Sequence, residues 1–360
     1  MDIRFLPTDE QTMLRDGVRR WLERGGEAGA DRWPHFAEMG WLMAGLPEDA
    51  GGLGGDLDDA AIIAEELGRG LVKAPFVEIA VAAAQVLLPL ARHRVAAIAA
   101  GDSRPILAHD EAEARGDPRW VATRARRAGD AWLLTGHKTG LVGTDITDRL
   151  LVSAVAEGHG LTLFEIATAD APLRRFVTVD DRAGGELRLN STAATPVGPL
   201  GGAEAAILHA SDCALVIESA EAVGAMEKVL NLTREYLVTR KQFGRPIGDF
   251  QALRHRLADM FIQVEQARSI VMRGLAGLRS PQPRQRAMLA AATKARTAQS
   301  AAFVGAQGIQ LHGGIGVTEE YPVGHYFKRL TAFDLRHGPS AVQVERYAAL
   351  SAPVQALPAA

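Results

Sequence analysis

Leu253, Leu257, Met260, Val264, Ala267, Val271 and Leu275 recur every three or four positions. Only a long helix gathers all of them on one side, and a stripe of that length needs other elements to cover it. Val223, Met226, Leu230 and Leu237 form a similar stripe upstream, and a third helix is expected from about Gln285 to Gln310. Ser280-Pro281-Gln282-Pro283 breaks the second pattern from the third. The spacing predicts a C-terminal four-helix bundle with very long members over residues 206–360.

The rest of the chain has two other textures. Residues 1–100 read as a helical domain. Asp9 is expected to cap a helix carrying Met13, Val18, Trp21 and Leu22. Further helices are expected at Trp33–Leu42 and at Asp58–Leu71, with Leu46 to Gly55 as a Gly/Pro loop between them. Residues 101–205 carry short β-type runs: Trp120–Thr123, Ala131–Gly136, Arg149–Ser153 and Leu161–Phe164. Gly129-Asp130 reads as a hairpin turn. These runs predict a small antiparallel sandwich or barrel with Trp120 and Trp132 in its core.

A net charge of −3, with basic and acidic residues mixed, gives no reason to expect nucleic acid or an anionic membrane as partner. Cys213 is the single cysteine, so no internal disulfide and no cysteine metal site can form. Met1-Asp2-Ile3-Arg4 lacks a signal-peptide pattern, and the apolar run from Ile79 to Ala100 is interrupted by Pro89, Arg92, His93 and Arg94. A cytoplasmic, non-membrane protein is expected. Neither a Walker loop nor Gly-x-Ser-x-Gly nor a metal-ligand spacing occurs.

Two segments carry chemistry: Arg240-Lys241-Gln242-Phe243-Gly244-Arg245-Pro246-Ile247-Gly248 and Gln310-Leu311-His312-Gly313-Gly314-Ile315-Gly316. Arg240 can pair with a pyrophosphate, and Gln242 can hydrogen-bond across it. Phe243 can pack on an adenine. Gln310, Gly313 and Gly314 allow an amide and bare backbone to approach. The plainer alternative makes Arg240 a helix cap and Gly313-Gly314 a helix stop. Arg124, Arg126 and Arg127 read as a solvated strand edge, with a CoA phosphate as the alternative.

These segments, together with Leu46-Pro47-Glu48 leading to Gly51-Gly52, Met39-Gly40-Trp41, Glu65-Glu66-Leu67-Gly68, Gln251 and Leu257-Ala258-Asp259-Met260, resemble the acyl-CoA dehydrogenase family over essentially the whole chain. Val323 to Arg329 and Ala220 to Met226 look most like its small-subunit branch, which includes the pimeloyl-CoA dehydrogenase small subunit and related heteromeric enzymes. The resemblance implies a helical domain, a central antiparallel β-domain and a C-terminal four-helix bundle. It also implies FAD as cofactor and α,β-desaturation of an acyl-CoA in lipid catabolism and β-oxidation. Family chemistry needs a base, a stabilised thioester oxygen and a flavin held against the Cα–Cβ bond. Arg240, Gln242, Phe243, Gln251, Gln310, Gly313 and Gly314 become the expected cofactor contacts, directed at a neighbouring subunit's flavin.

Against the family pattern, the self-side loop Thr-Glu-Pro-x-Ala-Gly-Ser-Asp is replaced by Leu107 to Ala114, and the Trp-Ile-Thr segment by Lys138 to Val142. The usual glutamate before Gly-x-Ser is replaced by His337-Gly338-Pro339-Ser340, and the alternative glutamate position falls near Ala214. Asp334, His337 and Glu218 are the remaining weak candidates for a base; a partner chain is the favoured source. The resemblance therefore implies the non-catalytic subunit of an α2β2 heterotetramer, with a second dehydrogenase subunit, an acyl-CoA and an electron-transfer flavoprotein as partners. A bulky or dicarboxylic acyl group is implied. The alternatives are a self-sufficient homo-oligomer with a displaced base and a silent CoA-binding subunit.

Overall fold

The computed structural model describes residues 7–26 and 32–352. The first helices are α1 (Asp9–Glu23), α2 (Trp33–Glu38) and α3 (Leu57–Arg69). A π-helical segment, Val77–Ala83, runs into α4 (Ala84–Leu90), and α5 is Val95–Ala99. Thr8, rather than Asp9, caps α1. Its hydroxyl accepts from the Gln11 amide while the Gln11 side chain accepts from the Thr8 amide, both at 3.2 Å. Asp9 is the first helical residue, where its charge suits the positive end of the helix dipole. The expected helix from Trp33 to Leu42 divides at Gly40, whose φ of +70 interrupts it. Trp21, Trp33, Phe36 and Trp41 form the buried aromatic centre of this region, Trp21 edge-on to Trp41 at 5.4 Å.

The strands are β1 (Pro105–Ala108), β2 (Arg124–Ala128), β3 (Ala131–Val142), β4 (Arg149–Ala156), β5 (Gly160–Ala167), β6 (Leu173–Val177) and β7 (Ala183–Val197). Strands β4, β2, β3, β7 and β5 neighbour one another in that order, and β5 pairs back with β4, which closes the sheet. Most pairings are antiparallel; β1–β4 and the short β2–β4 pairing are parallel. Gly129-Asp130 turns β2 into β3 as expected. Trp120–Thr123 is not a strand. The amides of Ala122 and Thr123 donate to the Glu111 carboxylate at 2.8 and 3.1 Å, which removes them from any ladder. Trp120 is accordingly 40% exposed, whereas Trp132 is buried.

Helices then return: α6 (Glu204–Thr239), α7 (Gln251–Leu278), α8 (Pro283–His312), α9 (Val323–Leu335) and α10 (Ser340–Ser351). The hairpin β8 (Lys241–Gln242) and β9 (Arg245–Pro246) joins α6 to α7. Helix α6 has 36 residues, about 54 Å of axis. Met260, Val264, Ala267 and Val271 are buried as the stripe on α7 requires. Three members are long. The remaining helical stretch is split into α9 and α10 where Arg336 turns extended and Gly338 adopts φ +88.

The N-terminal region docks on α6 through glycine. A Cβ on Gly224 would lie 1.7 Å from the Glu65 carbonyl oxygen, and one on Gly68 would lie 2.0 Å from that of Glu221. Backbones of α3 and α6 therefore touch. Among the described residues, no helix is long and apolar enough to cross a membrane, and no His/Cys/Asp/Glu group could hold a metal ion.

Candidate active-site cleft and cofactor-facing edge

Three elements converge where the sequence leads one to look for a base. Helix α6 brings Ala214 and, about one turn later, Glu218. The segment after α9 brings Arg336 and His337, and the loop after β1 brings Asp110. His337 has φ +54, uncommon for a residue with a side chain. Its ring lies between two carboxylates, with Nδ1 2.7 Å from Asp110 Oδ2 and Nε2 3.3 Å from Glu218 Oε1. Glu218, 3% exposed, also lies 3.0 Å from Arg336, which reaches Glu78 of the π-helical segment at 2.8 Å.

Burial opposes a charged imidazole, but Asp110 and Glu218 outweigh it and push His337 up to about 10. Burial would raise Asp110, yet the His337 charge draws it down to about 2. Glu218 is likewise held below the usual carboxylate range by Arg336 and His337, against its burial. An imidazolium with both N–H groups facing carboxylates has no lone pair for a substrate proton. Asp334 stands apart: it accepts the Ser340 amide at 2.9 Å, at the head of α10. Ala214 presents only a methyl group to the cleft.

Little space remains here. The cavity bounded by Val77, Ala82, Ile106, Ala214, Glu218 and His337 measures about 50 Å³. That admits a water or two, whereas ligand pockets run to about 300 Å³ and more. Beyond the Asp110–His337 pair lies an open cleft of about 380 Å³, walled by the loop from Ala112 to Trp120 and by Gly338, Pro339 and Val342. At Gly116 and Gly338 those two walls are in backbone contact.

A set of residues that the sequence did not single out holds the loop down. Buried Lys138 donates to Glu111 Oε1 at 2.6 Å, Ser153 Oγ at 2.9 Å and the His109 carbonyl at 3.1 Å. Ser153 then has its own hydrogen for His109 Nδ1 at 2.8 Å, which leaves His109 Nε2 to donate to the Pro118 carbonyl at 2.8 Å. Burial draws Lys138 down to about 8 although Glu111 favours its charge. The one signal for this cluster was the presence of polar residues where the resemblance leads one to expect a glycine-rich flavin loop.

The second group of residues faces outward. Phe243 and Gly244, with φ +50 and +78, form the tight turn of the β8–β9 hairpin, and Phe243 is 91% exposed. Arg245 lies over the Phe250 ring at 4.4 Å, and Gln251 begins α7. Tyr236, one turn before Arg240, packs against His312 with the rings tilted and their centroids 4.6 Å apart. The hairpin and the Gly313 turn thus leave the same end of the bundle. Gly313 needs its φ of +63, while a Cβ on Gly314 would meet nothing within 4 Å. Among the described residues, no hydrogen bond or ion pair uses the side chains of Arg240, Gln242 or Gln310. A free guanidinium, two amides and bare backbone suit a diphosphate, and they are the residues here that could hold a dinucleotide. Whatever they hold comes from outside the chain. Arg124, Arg126 and Arg127 are exposed on β2.

Residues 8–94 match the model for the acyl-CoA dehydrogenase N-terminal domain, and residues 216–350 that for the acyl-CoA dehydrogenase C-terminal domain. The chain is 31% identical to the acyl-CoA dehydrogenase IpdE2 of Mycobacterium tuberculosis, over 90% of this chain and 91% of that one. It superposes on a chain of the ChsE4–ChsE5 complex from Mycobacterium tuberculosis with a TM-score of 0.86 at 25% identity, covering 99% of this chain and 100% of that one. Butyryl-CoA dehydrogenase from Megasphaera elsdenii shares the fold, with a TM-score of 0.85 at 22% identity over 97% of this chain and 99% of that one. Matched over most of its length by these relatives, with helical, β and helical regions in order, the chain belongs to the FAD-dependent acyl-CoA dehydrogenase family.

Proposed function

We propose that this chain is the non-catalytic small subunit of a heteromeric acyl-CoA dehydrogenase, working on a flavin held mainly by a second dehydrogenase subunit. One observation carries the reading: the groups suited to a dinucleotide are free and face outward, while the position expected for the base holds His337 locked between Asp110 and Glu218. The likeness to the ChsE4–ChsE5 complex supports a second, related subunit.

When bound, FAD supplies the hydride acceptor for α,β-desaturation of an acyl-CoA thioester. Arg240 pairs with its diphosphate, Gln242 and Gln310 donate to it, and Phe243 covers the adenine. Gly313 and Gly314 let backbone approach. Gln251, at the start of α7, completes the hairpin side of that surface. The partner supplies the glutamate that takes the α-proton. Bundle helices make the subunit interface of an α2β2 assembly in the cytoplasm, with an electron-transfer flavoprotein as its redox partner.

Expression alone and together with a cognate dehydrogenase subunit tests this. The chain alone is expected to be colourless and inactive, and the pair yellow and bleached by acyl-CoA. Yellow protein, bleached by acyl-CoA, from this chain alone would overturn the proposal.

A further inference from the structure

The geometry points to Asp110 and His337 as an interdomain weld, which ties the β-region to the helical bundle in this chain and occupies the space between them. This deepens the reading above and rests on it, because a subunit holding its own flavin would need that space open.

Asp110 follows β1, His337 follows α9, and Glu218 lies within α6. Through Arg336 the cluster reaches Glu78 in the N-terminal helical region, so one set of charges touches all three regions. A second set runs beside it. Arg329 lies 2.7 Å from both Asp180 and Glu221, and Arg182 lies 2.7 Å from Asp180 and 3.7 Å from Glu78. Gln343 of α10 donates to the His337 carbonyl at 2.7 Å, and the Gly116–Gly338 contact closes the backbone around the pair.

The two paired residues lie in the segments that take the place of the family's self-side flavin loop and of its glutamate. Both would flank the flavin in a subunit that holds its own; here they bind each other. Removing His337 leaves Asp110 without its ion-pair partner, and removing Asp110 leaves His337 held from the Glu218 side alone, so the tie between the β-region and the turn after α9 is lost either way and the two walls should loosen together. Two side chains that were merely adjacent would each affect only their own segment.

Amide hydrogen exchange on the full chain tests this with wild type, Asp110→Asn, His337→Gln and the double variant, each checked for fold by circular dichroism. Residues 109–120 and 335–343 are expected to be protected in wild type. Either single change should raise exchange in both segments by roughly tenfold, and the double variant should add little, as coupled partners do. Arg115→Ala, exposed in the same loop, serves as control and should change neither segment. Loosening confined to the mutated segment, or additive effects in the double variant, would overturn the weld. If a single variant does not fold, the double variant gives the same answer: a folded double variant with both segments loosened supports the pair, and one with both still protected overturns it. Fluorescence titration of wild type with free FAD separates the two proposals. Binding there would sink the accessory-subunit reading, whereas uncoupled exchange without binding would sink the weld alone.

Discussion

Gly116 and Gly338 meet backbone to backbone beside the Asp110–His337 pair, so that a Cβ on Gly116 would lie 2.5 Å from the Gly338 Cα. Both residues have positive φ, +87 and +88. The contact couples the loop over the β-region to the turn between α9 and α10, and it exists because neither residue carries a side chain.

Gly116→Ala should therefore destabilise twice over, by steric overlap and by a left-handed backbone. A loss of about 2–4 kcal/mol is expected, read as a lower urea midpoint with unchanged slope. Gly129→Ala, with positive φ but nothing within 4 Å, should cost less.

The Asp110–His337 pair makes stability depend on pH. His337 is raised to about 10 in the folded chain, from about 6.5 when unfolded. Its contribution is complete below the lower value and disappears as pH rises through the upper one. Asp110, drawn down to about 2, contributes above its unfolded value of about 3.9 and loses that contribution as pH falls. Lys138 and Lys294, both lowered to about 8 by burial, titrate with opposite sign on the alkaline side. The diagnostic quantity is the difference in thermal midpoint between wild type and His337→Gln. It should shrink steadily from near-neutral pH toward the alkaline limit.

Asp334→Ala should act on α10 alone. Loss of the bond to the Ser340 amide costs about 0.5–2 kcal/mol, as other helix caps do, and turnover of the assembled complex should stay within about twofold. A catalytic base would instead contribute 10²-fold or more.

The legibility of the chain in its sequence follows local physics. The stripe from Leu253 to Leu275 could only be a helix, and Ser280 to Pro283 could only end it; both lie where the pattern puts them. Trp120–Thr123 read as a strand because its residue types favour one, but Glu111 takes the amides of Ala122 and Thr123. β7, fifteen residues long, was not apparent, since Gly184-Gly185 and Asn190-Ser191-Thr192 interrupt its apolar alternation. At the site, the segments around Arg240, Gln310 and His337 were visible as motifs. The pairing of His337 with Asp110 was not, because 227 positions separate them and no local pattern records such a contact. Glu218 came nearest, being one turn from a position already under suspicion.

The account is tested most directly by flavin retention in the assembled complex after Arg240→Ala or Gln310→Ala in this chain. A hydrogen bond to a charged phosphate is worth about 1.5–3 kcal/mol, so FAD affinity should fall roughly tenfold or more for Arg240→Ala, with less for Gln310→Ala, while the subunits remain associated. Unchanged affinity in both variants would contradict the account, since the flavin would then be held without this chain's outward-facing groups.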